Sequence, residues 1–153
     1  MEFFDLRLTL RDGMPGHPGD PQVALTRVRS HDADGYEVTQ ICVGSHSGTH
    51  LDAPRHFLPG GATLDQYPIQ RLVGPGVIVD CRPPGGTPRL IAPSLLAARL
   101  KQSTLPAGGF VLLWTEGALL SEEAARILLE ASPGLVGTDA PSLDEEPYPA
   151  HQL

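Results

Sequence analysis

The residues best suited to chemistry lie in one short run, residues 45–57, which holds three of the chain's six histidines. The candidates in this run are His46, His50, Asp52 and His56. Imidazole nitrogens and carboxylate oxygens suit a divalent transition metal, and they do not distinguish zinc from manganese. No cysteine lies in the run. A mixed His/Asp set normally keeps one position open for water, which is the catalytic arrangement. The run therefore predicts a catalytic metal site.

The spacing of these residues requires the chain to turn back on itself. In a straight strand, which rises about 3.3 Å per residue, His46 and Asp52 would lie about 20 Å apart. Ligand atoms must each approach a zinc-type ion to about 2.0–2.2 Å. Gly48 permits the backbone angles of a tight turn, and Pro54 fixes the backbone that leaves it. Glycine and proline also make a helix unfavourable here. We therefore expect a turn that gathers the ligands.

Hydrophobic patterning predicts the elements that must carry this turn. Strands are expected at residues 3–10, 23–29, 37–44, 76–81, 110–115 and 135–138, and helices at 93–101 and from an N-cap at Ser121 through 131. Strands alternating with helices indicate an α/β fold, with a mixed β-sheet and helices packed on it. The 153 residues are enough for one domain with a core, so a single domain over residues 1–153 is expected.

Composition excludes several classes of function. The net charge of −7 argues against nucleic acid and anionic membranes as partners. No apolar stretch approaches the roughly 20 residues of a membrane span, and the first residues do not read as a signal peptide. Cys42 and Cys81 lie in apolar, strand-like segments and are expected to be buried free thiols. A cytoplasmic protein is therefore expected.

The central motif is the run His46-Ser-Gly-Thr-His50-Leu-Asp52-Ala-Pro54-Arg-His56-Phe57. It resembles the signature of the metal-dependent cyclase family, which includes bacterial kynurenine formamidases and isatin hydrolases. Residues 14–21 resemble the family's Pro/Gly-rich segment, and residues 134–144 resemble its later Gly-x-Asp-x-Pro-Ser segment. The resemblance covers most of the chain in the expected order and implies a cyclase-like swivelling β/β/α fold.

The resemblance also implies a role for each candidate residue. His46, His50 and Asp52 would hold the first metal, and Asp52 could bridge to a second ion. His56 would be the acid/base group, and His151 would be a ligand of the second metal. The implied reaction is hydrolysis of an amide or lactam bond in a small molecule by metal-activated water. The chain lacks a Gly-x-Ser-x-Gly nucleophile elbow, which disfavours a serine hydrolase.

Two departures from the family pattern bear on substrate and completeness. Formamidases tend to carry tryptophan at the position of His17, which would line the substrate pocket. Family members usually continue beyond the position of His151 with a glutamate for the second ion, so the chain is expected to lack the family's C-terminal segment. Such a chain is expected to expose a sheet edge or apolar face and to form a homodimer or a higher homo-oligomer.

Each assignment has an alternative that the residues alone leave open. The motif residues could anchor a loop by hydrogen bonds, and His56 could be a pocket-wall residue or a further ligand. His151 could be solvated, since chain ends commonly fray. Asp139 could orient a ligand histidine or cap a turn through Pro141. At the level of function, the alternative is an inert or impaired family relative that acts as a binding or structural subunit.

Overall fold

The computed structural model of the protein describes residues 2–83 and 89–153. The chain divides into two compact units, an N-terminal unit of Met1–Ala53 and a C-terminal unit of Pro54–Leu153. The α/β class is confirmed, with antiparallel strands in the first unit and parallel strands with helices in the second. The single domain expected over residues 1–153 stays a prediction. Among the described residues, no helix combines the length and apolar character that a membrane span needs.

The N-terminal unit is built on a two-stranded antiparallel ribbon. Strand β1, Ala24–Arg29, pairs with β2, Val38–Cys42. The short helix α1, His31–Asp34, connects them. Ser30 caps α1 by accepting a hydrogen bond from a first-turn amide, and Gly35 ends it with a φ of 78°. Both strands lie where the patterning predicts them, and they lead the chain into the candidate ligand run.

Two predictions for this unit are wrong. Residues 2–10 form no strand, although their apolar side chains alternate. Asp5 instead accepts a hydrogen bond from the amide of Arg7 at 3.0 Å, a local bond that competes with strand pairing. Cys42 is exposed rather than buried, since every residue of β2 is exposed in this thin ribbon. Apolar patterning predicts burial of Cys42, but the described residues of this unit form no layer that covers β2.

The C-terminal unit contains a three-stranded parallel sheet in the order β3-β4-β5. The strands are β3 (Gly76–Asp80), β4 (Phe110–Trp114) and β5 (Leu135–Thr138). Parallel neighbours need a long crossover. Helix α2, Pro93–Gln102, lies between β3 and β4 in the chain, and α3, Glu122–Ala131, lies between β4 and β5. The predicted bounds of all five elements agree with these to within about one residue.

Burial in this unit follows the strand period. Val79, Val111 and Leu113 occupy one face of the sheet and are nearly inaccessible to water. Helix α3 begins at the N-cap Ser121, as predicted, and buries Ala124 and Leu128 against the same core. The core comprises Val79, Cys81, Ile91, Leu96, Val111, Leu113, Ala118, Leu120, Ala124 and Leu128. Of the two cysteines, Cys81 is therefore buried as expected.

Candidate metal centre

A tight turn after β2 gathers the first candidate ligands. The amide of Ser47 donates to the carbonyl of Gly44 at 3.2 Å, and Gly48 adopts a φ of 63°, in the left-handed region that favours glycine. The hydroxyl of Thr49 accepts a hydrogen bond from the amide of Leu8 at 2.9 Å, which ties the turn to the N-terminal segment. The fold-back that the spacing requires is therefore present.

The turn brings three potential ligand atoms together. His46 Nδ1 lies 2.8 Å from Asp52 Oδ1 and 3.2 Å from His50 Nε2, and His50 Nε2 lies 3.4 Å from Asp52 Oδ1. Bonds of about 2.1 Å at tetrahedral or octahedral angles would separate ligand atoms by roughly 3.0–3.4 Å. Two of the three separations lie in this range, and the distance between His46 Nδ1 and Asp52 Oδ1 is slightly shorter, so the three atoms could hold one small divalent ion. Their side chains are only partly exposed, at 25%, 27% and 36% of full accessibility.

The orientation of His50 is fixed by a bond within the turn. Its Nδ1 lies 2.8 Å from the carbonyl oxygen of Gly48. Because a carbonyl oxygen only accepts, Nδ1 must carry the proton, and Nε2 keeps the lone pair that a metal would bind. Such an outer partner is the usual companion of a ligating histidine. The turn thus sets both the position of this imidazole and its tautomer.

His56 lies in the C-terminal unit, at the end of the 3-10 helix Pro54–His56. Its side chain is exposed, and its ring meets the ring of Phe57 edge-on at a centroid distance of 4.3 Å. The amide of Leu58 donates to the carbonyl of Pro54 at 2.8 Å, so this short helix continues into a closed turn. The acid/base role of His56 stays a prediction.

His151 is held in the same unit by a partner that the sequence analysis missed. Its Nδ1 pairs with a carboxylate oxygen of Asp144, and the exposed fractions of these side chains are 8% and 3%. The ring of Phe57 stacks on His151 at 4.2 Å and 29°. The solvated alternative for His151 is therefore wrong. Asp144 lies in an irregular loop, where no periodic pattern marks a buried residue.

Residues 4–145 match the Cyclase family model. The chain belongs to the Cyclase family. It is 28% identical to a kynurenine formamidase of Salinibacter ruber over 99% of this chain and 76% of that protein. It is also 28% identical to an isatin hydrolase of Roseibium aggregatum over 87% of this chain, but it spans only 64% of that relative's length.

A solved structure supports the same relationship. It is described as a "potential metal-dependent hydrolase with cyclase activity", and it superposes with a TM-score of 0.71 at 27% identity. The alignment covers 97% of this chain and 74% of that one. The Cyclase-family fold expected from the sequence motifs is therefore confirmed.

Asp139, in the family's Gly-x-Asp-x-Pro-Ser segment, joins the ends of two strands. Its carboxylate accepts hydrogen bonds from the amide and hydroxyl of Thr115, at 2.8 and 2.7 Å, and from the amide of Glu116 at 3.0 Å. Burial alone would raise the pKa of Asp139, but these hydrogen bonds outweigh it and hold the pKa below its ordinary value. These described hydrogen bonds join Asp139 to the end of β4, and none of them caps a turn through Pro141 or reaches a histidine.

His17, the candidate substrate-binding residue, lies in an exposed loop of the N-terminal unit. Its Nδ1 is 3.1 Å from the carbonyl oxygen of Pro18, which orients the ring locally. This contact does not indicate what His17 binds, and its role in the substrate pocket stays a prediction.

Proposed function

We propose that this Cyclase-family chain is a divalent-metal-dependent hydrolase that cleaves an amide or lactam C–N bond in a small molecule. The observation that carries the proposal is the triangle of ligand atoms from His46, His50 and Asp52. The names of the relatives, kynurenine formamidase and isatin hydrolase, supply the bond type. N-formyl aromatic amines and isatin-like lactams are therefore the substrate classes to test.

In this proposal His46, His50 and Asp52 hold the first ion, and zinc and manganese both suit their nitrogen and oxygen atoms. A bound ion of this kind lowers the pKa of water to about 7 and polarises a carbonyl group. His50 needs no tautomer change to serve as a ligand, because its Nδ1–H already donates to Gly48. His151 is proposed as a ligand of a second ion.

His56 is proposed as the acid/base group. An imidazole can take the proton of the attacking water on a ring nitrogen and deliver it to the leaving nitrogen of the substrate. The side chain is exposed, as proton exchange with substrate requires, and the ring of Phe57 restricts its motion on one side. His17 is proposed to contact the substrate.

We also propose that the protein acts as a homodimer or higher homo-oligomer in the cytoplasm. The N-terminal segment exposes Phe3, Phe4, Leu6 and Leu8, each by more than 60% of its full accessible area. The ribbon of β1 and β2 has two outer edges, and an isolated two-stranded ribbon is marginal in water. Sedimentation equilibrium tests this point, because a monomer at micromolar concentration would contradict it.

The central experiment compares His50→Ala with His31→Ala, an exposed histidine in the same unit. Metal per chain is measured by elemental analysis, and turnover is measured with an N-formyl aromatic amine and an isatin-like lactam. His50→Ala should lose stoichiometric metal and turnover together, whereas His31→Ala should keep both. A full equivalent of metal in His50→Ala would refute the ligand set. Stoichiometric metal in the unsubstituted protein without turnover would identify an inert relative.

His56→Ala separates a proton shuttle from a ligand. If His56 is the acid/base group, the variant should retain the first-site metal while kcat falls by about 10²–10⁴. Metal content and kcat are measured on the same preparation. Loss of the metal along with activity would make His56 a ligand instead.

A further inference from the structure

The pair formed by Asp144 and His151 is the most buried ionisable contact between side chains in the described part of the chain. Only 3% of the Asp144 side chain and 8% of the His151 side chain are exposed. The carboxylate also accepts a hydrogen bond from the amide of Ala150 at 2.5 Å. Removing a carboxylate from water is costly unless hydrogen bonds replace the lost hydration. At Asp144 the hydrogen bonds from His151 and from the amide of Ala150 replace that hydration, one at each carboxylate oxygen.

This pairing leaves one nitrogen of the His151 ring available. Nδ1 faces the carboxylate. In the described residues, no buried side-chain nitrogen or oxygen lacks a hydrogen-bond partner. The described hydrogen bond of His151 involves Nδ1. Nε2 has no described hydrogen bond and is not among the buried unpaired atoms, so Nε2 is accessible to solvent. An anionic partner at Nδ1 favours the proton on that nitrogen and leaves the lone pair on Nε2.

Two aromatic rings restrict how this imidazole can move. Phe57 stacks on it at 4.2 Å, and Tyr148 meets it edge-on at 6.0 Å. Tyr148 adopts a φ of 57°, a conformation that side chains other than glycine and asparagine rarely take. A strained residue of this kind persists where the surrounding structure requires it. The rings, together with the carboxylate, hold the imidazole in one orientation.

We propose that Asp144 is a positioning residue that fixes the tautomer and orientation of His151, so that Nε2 is presented as a ligand nitrogen for a divalent metal ion. The inference rests on the proposed function, because it places His151 in the metal chemistry of the hydrolase. The same relation holds at His50, whose Nδ1 donates to an oxygen while Nε2 faces the other ligand atoms. In this proposal Asp144 acts through His151, and its two oxygens accept from His151 and from the amide of Ala150.

The test observes the ring nitrogens of His151 by ¹⁵N NMR at fixed pH, in metal-free protein and during titration with Zn²⁺. The unsubstituted protein should show the Nδ1–H tautomer, and Zn²⁺ should shift Nε2. Asp144→Asn keeps the size of the side chain but can donate as well as accept, so the proton can move to Nε2. In this variant, the apparent Zn²⁺ dissociation constant measured at His151 should rise about 10- to 100-fold.

Glu145→Gln is the matched control, because it neutralises the adjacent carboxylate, which is exposed and pairs with Arg89 at 2.9 Å. It should leave the His151 tautomer and Zn²⁺ response unchanged. An Nε2–H tautomer in the unsubstituted protein would overturn the inference even if Asp144→Asn does not fold. An unchanged Zn²⁺ response in a folded Asp144→Asn would also overturn it. Failure of the hydrolase proposal is a separate result, seen as absent turnover with the His151 tautomer as expected.

Discussion

Gly48 is the backbone position on which the proposed first metal site depends, and replacing it with alanine should weaken metal binding. Its φ of 63° costs an L-residue about 1–2 kcal/mol. The carbonyl of Gly48 also accepts the hydrogen bond that orients His50. Without metal, the alanine-substituted turn can relax to a backbone conformation with negative φ. Metal binding must then restore the positive φ, so the conformational cost is subtracted from the binding free energy. The metal dissociation constant of Gly48→Ala should then rise roughly 5- to 30-fold.

A steric effect must be separated from the backbone effect. A Cβ on Gly48 would lie 2.9 Å from Cδ2 of Leu10. That atom ends a flexible side chain that is 42% exposed, so it can rotate away at low cost. Gly48→Asn carries a larger side chain but tolerates the left-handed region better. It should therefore bind metal more tightly than Gly48→Ala. Restored affinity in the double variant Gly48→Ala/Leu10→Ala would instead identify the steric contact as the cause.

The assay is isothermal titration of Zn²⁺ or Mn²⁺ into metal-free protein that circular dichroism shows to be folded. Gly35→Ala is the matched control, because Gly35 has a φ of 78° and a Cβ added there would meet no neighbouring atom within 4 Å. It should incur a similar backbone cost at the end of α1 without changing metal affinity. An unchanged dissociation constant in Gly48→Ala would refute the argument that this turn organises the ligands.

Two further predictions concern groups outside the ligand run. In the native protein, a thiol reagent should modify Cys42, which is exposed. The reagent should reach Cys81 only on unfolding, because Cys81 is buried and burial raises the pKa of its thiol to about 11. Rapid modification of two thiols per native chain would contradict this prediction. Asp139→Asn should lower the free energy of unfolding by about 1–2 kcal/mol at neutral pH, since the carboxylate is partly exposed. Because the pKa of Asp139 is depressed in the folded protein, its contribution is present above the ordinary value of 3.8 and is lost as pH falls through the folded pKa. Urea titrations from pH 7 down through the acid range should therefore show the difference between the proteins shrinking as pH falls below the ordinary value, and a difference that stays constant throughout this range would count against the assignment.

The elements of the C-terminal unit were predictable because their signals are local. β4 is a continuous apolar run, and α3 has a serine N-cap followed by two glutamates. The segment of residues 2–10 shows the limit of such reasoning. Alternating side chains predict a strand face, but a strand also needs a partner for its backbone, which patterning does not supply. In the described structure this segment bonds locally at Asp5 and to Thr49 instead.

The two histidine environments differ in what the sequence could reveal. His46, His50 and Asp52 lie within seven residues, so the demand for a common ligand geometry predicts the turn at Gly48. The partner of His151 depends on burial of an irregular loop. That loop includes Tyr148 in a left-handed conformation, which no sequence pattern indicates for tyrosine. The proximity of His46, His50 and Asp52 could therefore be predicted from their spacing, whereas the pairing of His151 with Asp144 could be recognised only in the folded structure.

His50 and His151 nevertheless share one physical arrangement, in which an oxygen at Nδ1 leaves Nε2 for a ligand. At His50 the acceptor is a backbone carbonyl two residues away, so the turn itself sets the orientation. At His151 the acceptor is a buried side chain seven residues away, so tertiary packing sets it. A substitution at Gly48 therefore perturbs the orientation of His50 through the backbone of the turn. A substitution at Asp144 perturbs the orientation of His151 through a side-chain contact. If orientation of Nε2 limits metal binding, both substitutions should weaken it while leaving the imidazoles of His50 and His151 themselves intact.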